Sequence, residues 1–201
     1  MTRTHCRHLT ARVLFGTVLA FVASWPAYAA VLLVPEGFPT IQAAVDAATS
    51  TDTISVAAGT YTGAGNRDIS ILGKSLMLAS RDGPEQTIID CQRAGRAFFI
   101  DGWGFSPTVE GFSVINGNGS PGGALQTLVA TPVIRHCRFL SSESTWAGAA
   151  WLGYTATFED CEFRGNRDNQ GGGAVFALSG SPSFLRCVFA GNRSGGPGGA
   201  V

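Results

Sequence analysis

The sequence of 201 residues has equal numbers of basic and acidic side chains, 14 Lys and Arg against 14 Asp and Glu. This balance excludes nucleic acid and anionic membranes as partners held mainly by charge. The 27 glycines occur together with 45% hydrophobic residues. That composition excludes collagen and disorder, and it favours short apolar strands separated by frequent turns.

The first 29 residues have the three parts of a secretory signal peptide. Residues 1–12 contain three arginines and no acid, residues 13–23 form an apolar run, and Ala27-Tyr28-Ala29 follows. The run is shorter than the roughly 20 residues that a membrane-spanning helix needs. We therefore predict export of a mature chain, residues 30–201, without an integral membrane segment. It carries 11 basic and 14 acidic residues, a net charge of −3.

A short amphipathic helix is predicted near the start of the mature chain, after Pro39-Thr40. The apolar residues at positions i, i+3, i+4 and i+7 are Ile41, Ala44, Val45 and Ala48. We expect residues 36–60 to form an N-terminal cap over the open end of the structure that follows. Strand-like stretches come at residues 53–56, 68–72, 75–79, 87–90 and 97–100.

Residues 107–201 repeat with a period of about 25, in the range of solenoid repeats. The clearest columns are the triplets at residues 112–114, 137–139, 161–163 and 187–189, separated by 25, 24 and 26 residues. Twelve or thirteen residues after the start of each triplet come Ala124, Ala150, Ala174 and Ala200, each of which closes a triplet of small residues. The recurrence of these columns in four successive copies indicates a repeat architecture.

The period predicts an all-β fold, a parallel β-helix. One unit holds a short alternating strand, a turn and a second apolar stretch, and it cannot bury its own apolar face. Stacked coils, in which each strand pairs in parallel with the same strand one turn on at about 4.8 Å, bury that face and satisfy the backbone. The leucine-rich repeat signature is missing, and a β-propeller blade needs about 40 residues.

Alternation along the strands assigns the side chains to the two faces of the coil. The first and third residues of each Cys-x-Phe triplet are expected to point inward and the middle residue outward. The glycines, together with Asn118, Asn166 and Asn192, are expected to mark corners with left-handed or otherwise unusual backbone.

Two groups of segments resemble known families. Residues 40–48, 52–56 and 59–61 look like the opening of pectin-lyase-like right-handed β-helix proteins. The motifs F-x-x-N and G-G-A-V, at residues 163–166, 172–175, 189–192 and 198–201, resemble polymorphic outer-membrane protein repeats. The resemblances imply a right-handed coil and a surface or secreted location. Ser142 in place of the Asn and Ala149 in place of a Gly depart from the pattern in the middle coil.

The resemblance extends to pectate lyases and related hydrolases. It implies that an active site, if present, would contain clustered carboxylates, either holding Ca²⁺ near a basic residue or acting as an acid pair. The best cluster is Asp160 and Glu162, with Arg186 and Arg138 one turn away on the same wall. A charged outer face is more often solvated than catalytic. We therefore predict no catalytic, cofactor-binding or metal-binding residue.

The histidine and the cysteines are also interpreted as structural. His136 beside Cys137 is compatible with a metal ligand or a thiol nucleophile, but its potential partners lie a full turn away. Cys137, Cys161 and Cys187 are expected to form one inward column of free thiols, with a disulfide between neighbouring turns as the alternative. Cys91 lies apart from this column.

Two classes of function remain. The first is an exported, adhesin-like scaffold, secreted or at the cell surface or outer membrane, that binds a polysaccharide or another surface macromolecule. The second is a polysaccharide lyase or glycoside hydrolase, which needs convergent carboxylates in one groove. The sequence favours the first, which is not an enzyme. Because the last repeat stops at Val201, inside a motif that earlier copies continue, we also expect a fragment.

Overall fold

The computed structural model describes residues 28–196, in which the chain forms 20 strands and one short helix. Sheet A contains β1 (Val31–Val34), β2 (Thr53–Val56), β5 (Met77–Ser80), β8 (Thr108–Glu110), β11 (Val133–Arg135), β15 (Thr157–Glu159) and β19 (Ser183–Leu185). Sheet B contains β3 (Gly59–Tyr61), β6 (Thr87–Asp90), β9 (Ser113–Ile115), β12 (Arg138–Leu140), β16 (Glu162–Arg164) and β20 (Val188–Ala190). Sheet C contains β4 (Ile69–Leu72), β7 (Phe98–Asp101), β10 (Leu125–Thr127), β14 (Ala150–Leu152) and β18 (Val175–Ala177), and β13 (Glu143–Ser144) pairs with β17 (Arg167–Asp168). Most of the predicted signal peptide and the last G-G-A-V motif lie outside the described residues.

The strands wind into a parallel solenoid of about six turns. Each complete turn adds one strand to sheet A, one to sheet B and one to sheet C, and every pair is parallel and joins consecutive turns. On β12, for example, Phe139 lies between Val114 of the preceding turn and Phe163 of the next. The predicted all-β parallel solenoid is confirmed, and the predicted strands at residues 53–56 and 87–90 coincide with β2 and β6.

The predicted helix is present as α1 (Ile41–Ala47). Thr40 is its N-cap: the hydroxyl oxygen accepts a hydrogen bond from the amide of Ala43 at 3.2 Å, which satisfies a helical N–H that has no partner within the helix. Its apolar face is buried at Ile41 and at Ala44, and the helix packs against the first turn of the solenoid, on β1, β2 and β4.

Aromatic rings fill the interior of the later turns. In sheet B, the rings of Phe139 and Phe163 stack with centroids 5.0 Å apart, and those of Phe163 and Phe189 stack at 4.8 Å. Phe158 of sheet A meets Phe163 edge-on at 5.5 Å. The separation of stacked rings is close to the spacing of paired strands, so the same residue type fits in every turn.

The short corner between sheets A and B turns on one residue with left-handed backbone. The φ angles are 51° at His136, 52° at Asp160 and 52° at Arg186. The next residue in each turn is a cysteine that points inward, and the thiol of Cys161 donates to the carbonyl of Glu159 across the corner at 3.3 Å. The left-handed residue interrupts the alternation, so Glu159 and Asp160 both lie on the outside although they are adjacent.

An asparagine ladder follows sheet B. Asn166 accepts a hydrogen bond from the amide of Ser142 at 3.0 Å and donates to the carbonyl of Phe139 at 2.9 Å, both in the preceding turn. It also donates to the side-chain oxygen of Asn192 in the next turn at 3.0 Å. The F-x-x-N motif therefore places a buried amide where two turns need both a donor and an acceptor.

The predicted left-handed corner is found at the glycine of each F-x-x-N motif. At Gly165 φ is 64° and at Gly191 it is 62°, whereas Asn166 and Asn192, which follow them, do not have left-handed backbone. In the earlier turns the equivalent left-handed residues are Ser141 and Asn116. The asparagine side chains form hydrogen bonds between turns, and the glycines adopt the left-handed backbone of the bend.

In the middle coil, the alanine column lies one residue before the predicted position. Ala149, rather than the predicted Ala150, stacks with Ala124, and its carbonyl accepts from the amide of Ala124 at 2.8 Å. Gly148 therefore occupies the glycine position, where a Cβ would overlap the carbonyl oxygen of Gly173 in the next turn. The middle coil thus keeps the glycine that close stacking of the backbones requires.

Candidate functional site

A groove of about 810 Å³ runs over the corner between sheets A and B. The groove is called the charged groove below, and it is lined by His136 and by the charged residues Glu85, Glu110, Arg138, Asp160, Glu162, Arg164 and Arg186. The structure therefore brings together Asp160, Glu162, Arg138 and Arg186, the four residues that the sequence singles out. Their pairing decides whether the groove is capable of acid–base chemistry.

Asp160 is held by a bidentate ion pair with Arg186 of the next turn. The Nε of Arg186 donates to Oδ1 at 2.6 Å and its Nη2 donates to Oδ2 at 2.7 Å. These hydrogen bonds and the positive charge lower the pKa of Asp160 and raise the pKa of Arg186. The pair stabilises the fold above the unfolded-state pKa of the carboxyl, and it loses that contribution as the pH falls through the lowered pKa.

Glu162 is shared by two arginines. The Nε of Arg164 donates to its Oε1 at 2.7 Å, and the Nε of Arg138 in the preceding turn lies 3.4 Å from its Oε2. Arg138 in turn lies 2.6 Å from the carboxylate of Glu85. Glu85, Arg138, Glu162 and Arg164 thus form one chain of ion pairs of alternating sign on the outside of sheet B.

Glu110 completes the set, because its carboxylate accepts from the Nε of Arg135 at 2.9 Å. All four carboxylates that line the charged groove are therefore in ion pairs. A general acid needs a raised pKa, and a general base needs a lone pair that faces the substrate. The pairing works against both requirements.

His136 and Cys137 lie on opposite sides of the wall. His136 is exposed in the charged groove, while Cys137 is buried and donates to the carbonyl of Arg135 at 3.3 Å. Burial raises the pKa of the Cys137 thiol to about 12, so the nucleophilic thiolate is disfavoured. The structure separates the two residues that a thiol nucleophile with a histidine base would bring together.

The other cysteines behave in the same way. All four cysteines in the described part of the chain are free, and burial raises the pKa of each thiol, to about 12 for Cys91. Cys161 is buried and Cys187 is partly buried, in the predicted inward column. Cys137, Cys161 and Cys187 occupy the corner between sheets A and B, whereas Cys91 follows β6 and lies between sheets B and C.

Two other acids, Asp101 and Asp168, accept hydrogen bonds from backbone amides. Oδ1 of Asp101 accepts from the amides of Gly102 at 2.8 Å and Val129 at 3.2 Å. Asp168 is buried, and its Oδ2 accepts from the amide of Gln170 at 2.7 Å. Within residues 28–196, no three His, Cys, Asp or Glu side chains lie close enough together to hold a metal ion.

The opposite side of the solenoid carries a second groove, of about 400 Å³, on the outer face of sheet C. Its lining consists of Ser120, Pro121, Trp146, Trp151, Phe176 and Leu178, and contains no charged residue. Trp146, from the loop before β14, lies against Phe176 with ring centroids 6.1 Å apart. Trp151 and Phe176 are outward residues at the centres of β14 and β18, which are paired.

Sequence reasoning missed this aromatic surface, although its signal is in the strands. In the strands A-W-L and V-F-A of sheet C, the middle residue is aromatic, and the alternation rule places it outside. Neighbouring aromatic residues at outward positions of paired strands form a contiguous apolar patch, which is typical of an interaction surface. No column of identical residues marks this position, because Trp151 and Phe176 differ.

Comparison with protein-family models, with curated proteins and with solved structures found no match. The two family resemblances therefore stay predictions from sequence. Among the described residues, no helix has the length and apolar character needed to cross a membrane.

Proposed function

We propose that this chain is an exported, right-handed parallel β-helix scaffold of the adhesin-like kind, which binds a macromolecule at the cell surface and catalyses no reaction. The observation that carries the proposal is the pairing of all four carboxylates in the charged groove with arginines. The alternative, a polysaccharide lyase or glycoside hydrolase, needs a carboxylate or basic residue that is free to exchange a proton.

The protonation states also favour a binding role. A hydrolase acid must hold its proton near neutral pH, whereas the ion pair lowers the pKa of Asp160. A lyase base must lose a proton, whereas the same ion pair raises the pKa of Arg186. Both residues are thus shifted away from the catalytic roles that a pectate-lyase-like site would give them.

Right-handedness and capping are parts of the proposal. Parallel strands joined by a crossover are right-handed in about 98% of cases, because the strand twist favours that hand. The packing of α1 against β1, β2 and β4 supports its role as an N-terminal cap, since an uncovered solenoid end exposes core residues. Export is supported by the basic, apolar and A-x-A parts of residues 1–29.

The test uses the full chain produced in a bacterial host. N-terminal sequencing of the exported product is expected to begin at Ala30. The product is expected to release no unsaturated oligosaccharide from polygalacturonate, with or without Ca²⁺. Release that disappears in Asp160→Ala but persists in Glu143→Ala, an acid outside the charged groove, would refute the scaffold function. A cytoplasmic product that retains Met1 would refute export.

A further inference from the structure

Six of the eleven exposed large apolar side chains in residues 28–196 lie on one side of the solenoid. They are Leu72, Trp103, Val129, Trp146, Tyr154 and Leu178, and they are 37% to 74% exposed. They lie on the outer face of sheet C, in a loop before it or at the corner that follows it, and they are called the aromatic side below. The other five, near the two ends of the described residues, are Tyr28, Val31, Leu33, Leu185 and Val188. Trp103 is 74% exposed and Leu178 is 62% exposed. A soluble surface rarely collects such residues in one place without a partner.

The aromatic side runs along the solenoid axis. The turns that contain β4, β7, β10, β14 and β18 each contribute one exposed residue at the end of the strand or just after it: Leu72, Trp103, Val129, Tyr154 and Leu178. Because these strands pair in consecutive turns, the corners stack in a row. The rings of Trp103 and Tyr154 approach with centroids 6.1 Å apart, so the row is continuous across the turn between them.

The charged side chains beside this row form hydrogen bonds within the protein. The Nζ of Lys74 donates to the carbonyl of Val45 at 2.7 Å. Arg96 donates to the carbonyl of Pro121 at 2.9 Å and to the side chain of Gln126. The Asp101 carboxylate, as described above, accepts two backbone amides. Each of these charged groups is thus held by protein atoms. The charged groove lies at a different corner of the solenoid.

We propose that the aromatic side docks on a lipid surface with no net charge, at the boundary between headgroups and acyl chains. The inference rests on the proposed function, because it names the partner of the scaffold. The solenoid has a charged corner and an uncharged aromatic side along its length, the arrangement by which an amphipathic element lies in a bilayer interface. Trp103 and Tyr154 are of the residue types that concentrate at that interface.

A lipid surface matches the aromatic side better than a glycan or a protein does. A glycan needs hydrogen-bond partners for its hydroxyl groups, and the groove offers one side-chain hydroxyl, Ser120, while the Gln126 amide is engaged by Arg96. A protein partner is usually anchored in a pocket surrounded by a polar rim. Here the most exposed residue of the aromatic side, Trp103, belongs to a row of corner residues and not to a pocket. Because no free basic cluster is present, anionic lipid is not required.

The test mixes the full chain with phosphatidylcholine vesicles and measures the fraction that sediments with them. We expect binding that does not rise when phosphatidylglycerol is added and does not fall at high salt. Brominated phosphatidylcholine is expected to quench the tryptophan emission. In Trp103→Ser/Leu178→Ser, the binding constant should fall by about tenfold or more, because each large apolar side chain withdrawn from water is worth about such a factor.

A matched control removes apolar residues of similar exposure elsewhere. Leu185 and Val188 are 46% and 51% exposed but lie outside the aromatic side, so Leu185→Ser/Val188→Ser should bind vesicles like the wild type. A second pair, Val129→Ser/Tyr154→Ser, repeats the test at other turns, and circular dichroism checks that each variant is folded.

Three results would overturn the inference. The first is that the wild type does not sediment with the vesicles, the second is that its binding requires anionic lipid and low salt, and the third is that the control variant loses as much binding as Trp103→Ser/Leu178→Ser. The wild type could instead be retained on cellulose, or associate with itself without lipid. If the Trp103→Ser/Leu178→Ser variant lost the first property, the aromatic side would be assigned to a glycan; if it lost the second, to a second copy of the chain. If the protein does not bind vesicles, the proposed absence of catalysis is not contradicted. Conversely, cleavage of polygalacturonate would refute the proposed function whatever the vesicles show.

Discussion

The inner and outer columns of sheet B follow opposite rules, although they belong to the same strands. Inside, the same residue type recurs, with Phe139, Phe163 and Phe189 stacked ring on ring. Outside, the residue type changes from turn to turn, and where two charged residues are neighbours, Arg138 beside Glu162, their signs are opposite. Both columns face neighbours at the spacing of paired strands, where aromatic rings attract one another and like charges repel. A parallel solenoid therefore selects for identity in its core and for complementarity on its surface.

The largest effect is expected from the inner column. Phe163→Ala removes the middle ring of the stack, which is fully buried, and leaves a cavity between two rings that stay in place. By comparison with other buried aromatic residues, the free energy of unfolding should fall by about 3 to 5 kcal/mol. Urea denaturation of the exported protein measures the change.

Phe163→Leu is the control for this experiment, because it keeps most of the buried volume and should cost less than Phe163→Ala. If the alanine variant lost no more stability than the leucine variant, the stacked rings would not be the source of stability in these turns.

A smaller effect is expected from the asparagine ladder. Asn166→Ala leaves the amide of Ser142 and the carbonyl of Phe139 without their side-chain partner. An unsatisfied buried polar group costs about 1 to 3 kcal/mol, so the variant should fall between the phenylalanine and the surface substitutions. The same denaturation experiment measures it.

Asn169→Ala, an exposed asparagine in the same turn, should stay within about 0.5 kcal/mol of the wild type. Equal losses at Asn166 and Asn169 would contradict the ladder, because only the first of these amides links consecutive turns.

The same contrast explains what could be predicted from the sequence. Columns of identical residues, such as Cys137 with Cys161, are visible as a repeat, and they predicted the turn length, the strands and the inward faces. Complementary columns are visible only once the register is known. The charged pair Asp160 and Arg186 was found because both residues precede a cysteine. Trp151 was not found, because its neighbours in the column differ from it.

Two local features could not be read from the residue pattern. Strict alternation would send the adjacent Glu159 and Asp160 to opposite faces, but the left-handed residue at Asp160 interrupts the extended backbone, so both lie outside. In the middle coil, the run of small residues around Ala149 matches the motif in two registers that differ by one residue. Only the pairing of β10 with β14 decides between them. Composition does not carry that information.

The smallest effect is expected on the outside of sheet B, at Glu162. Its carboxylate is paired with Arg138 and Arg164, but all three side chains are partly open to water, where an ion pair is worth at most about 1 kcal/mol. Glu162→Ala should therefore lower the free energy of unfolding by about 1 kcal/mol or less. The loss should shrink as salt is added, since mobile ions screen exposed charges. Urea denaturation at low and high salt, beside Phe163→Ala, makes the comparison within one strand. A loss at Glu162 as large as that at Phe163, or one that salt leaves unchanged, would mean that the charged column supports the core and does not merely match neighbouring turns.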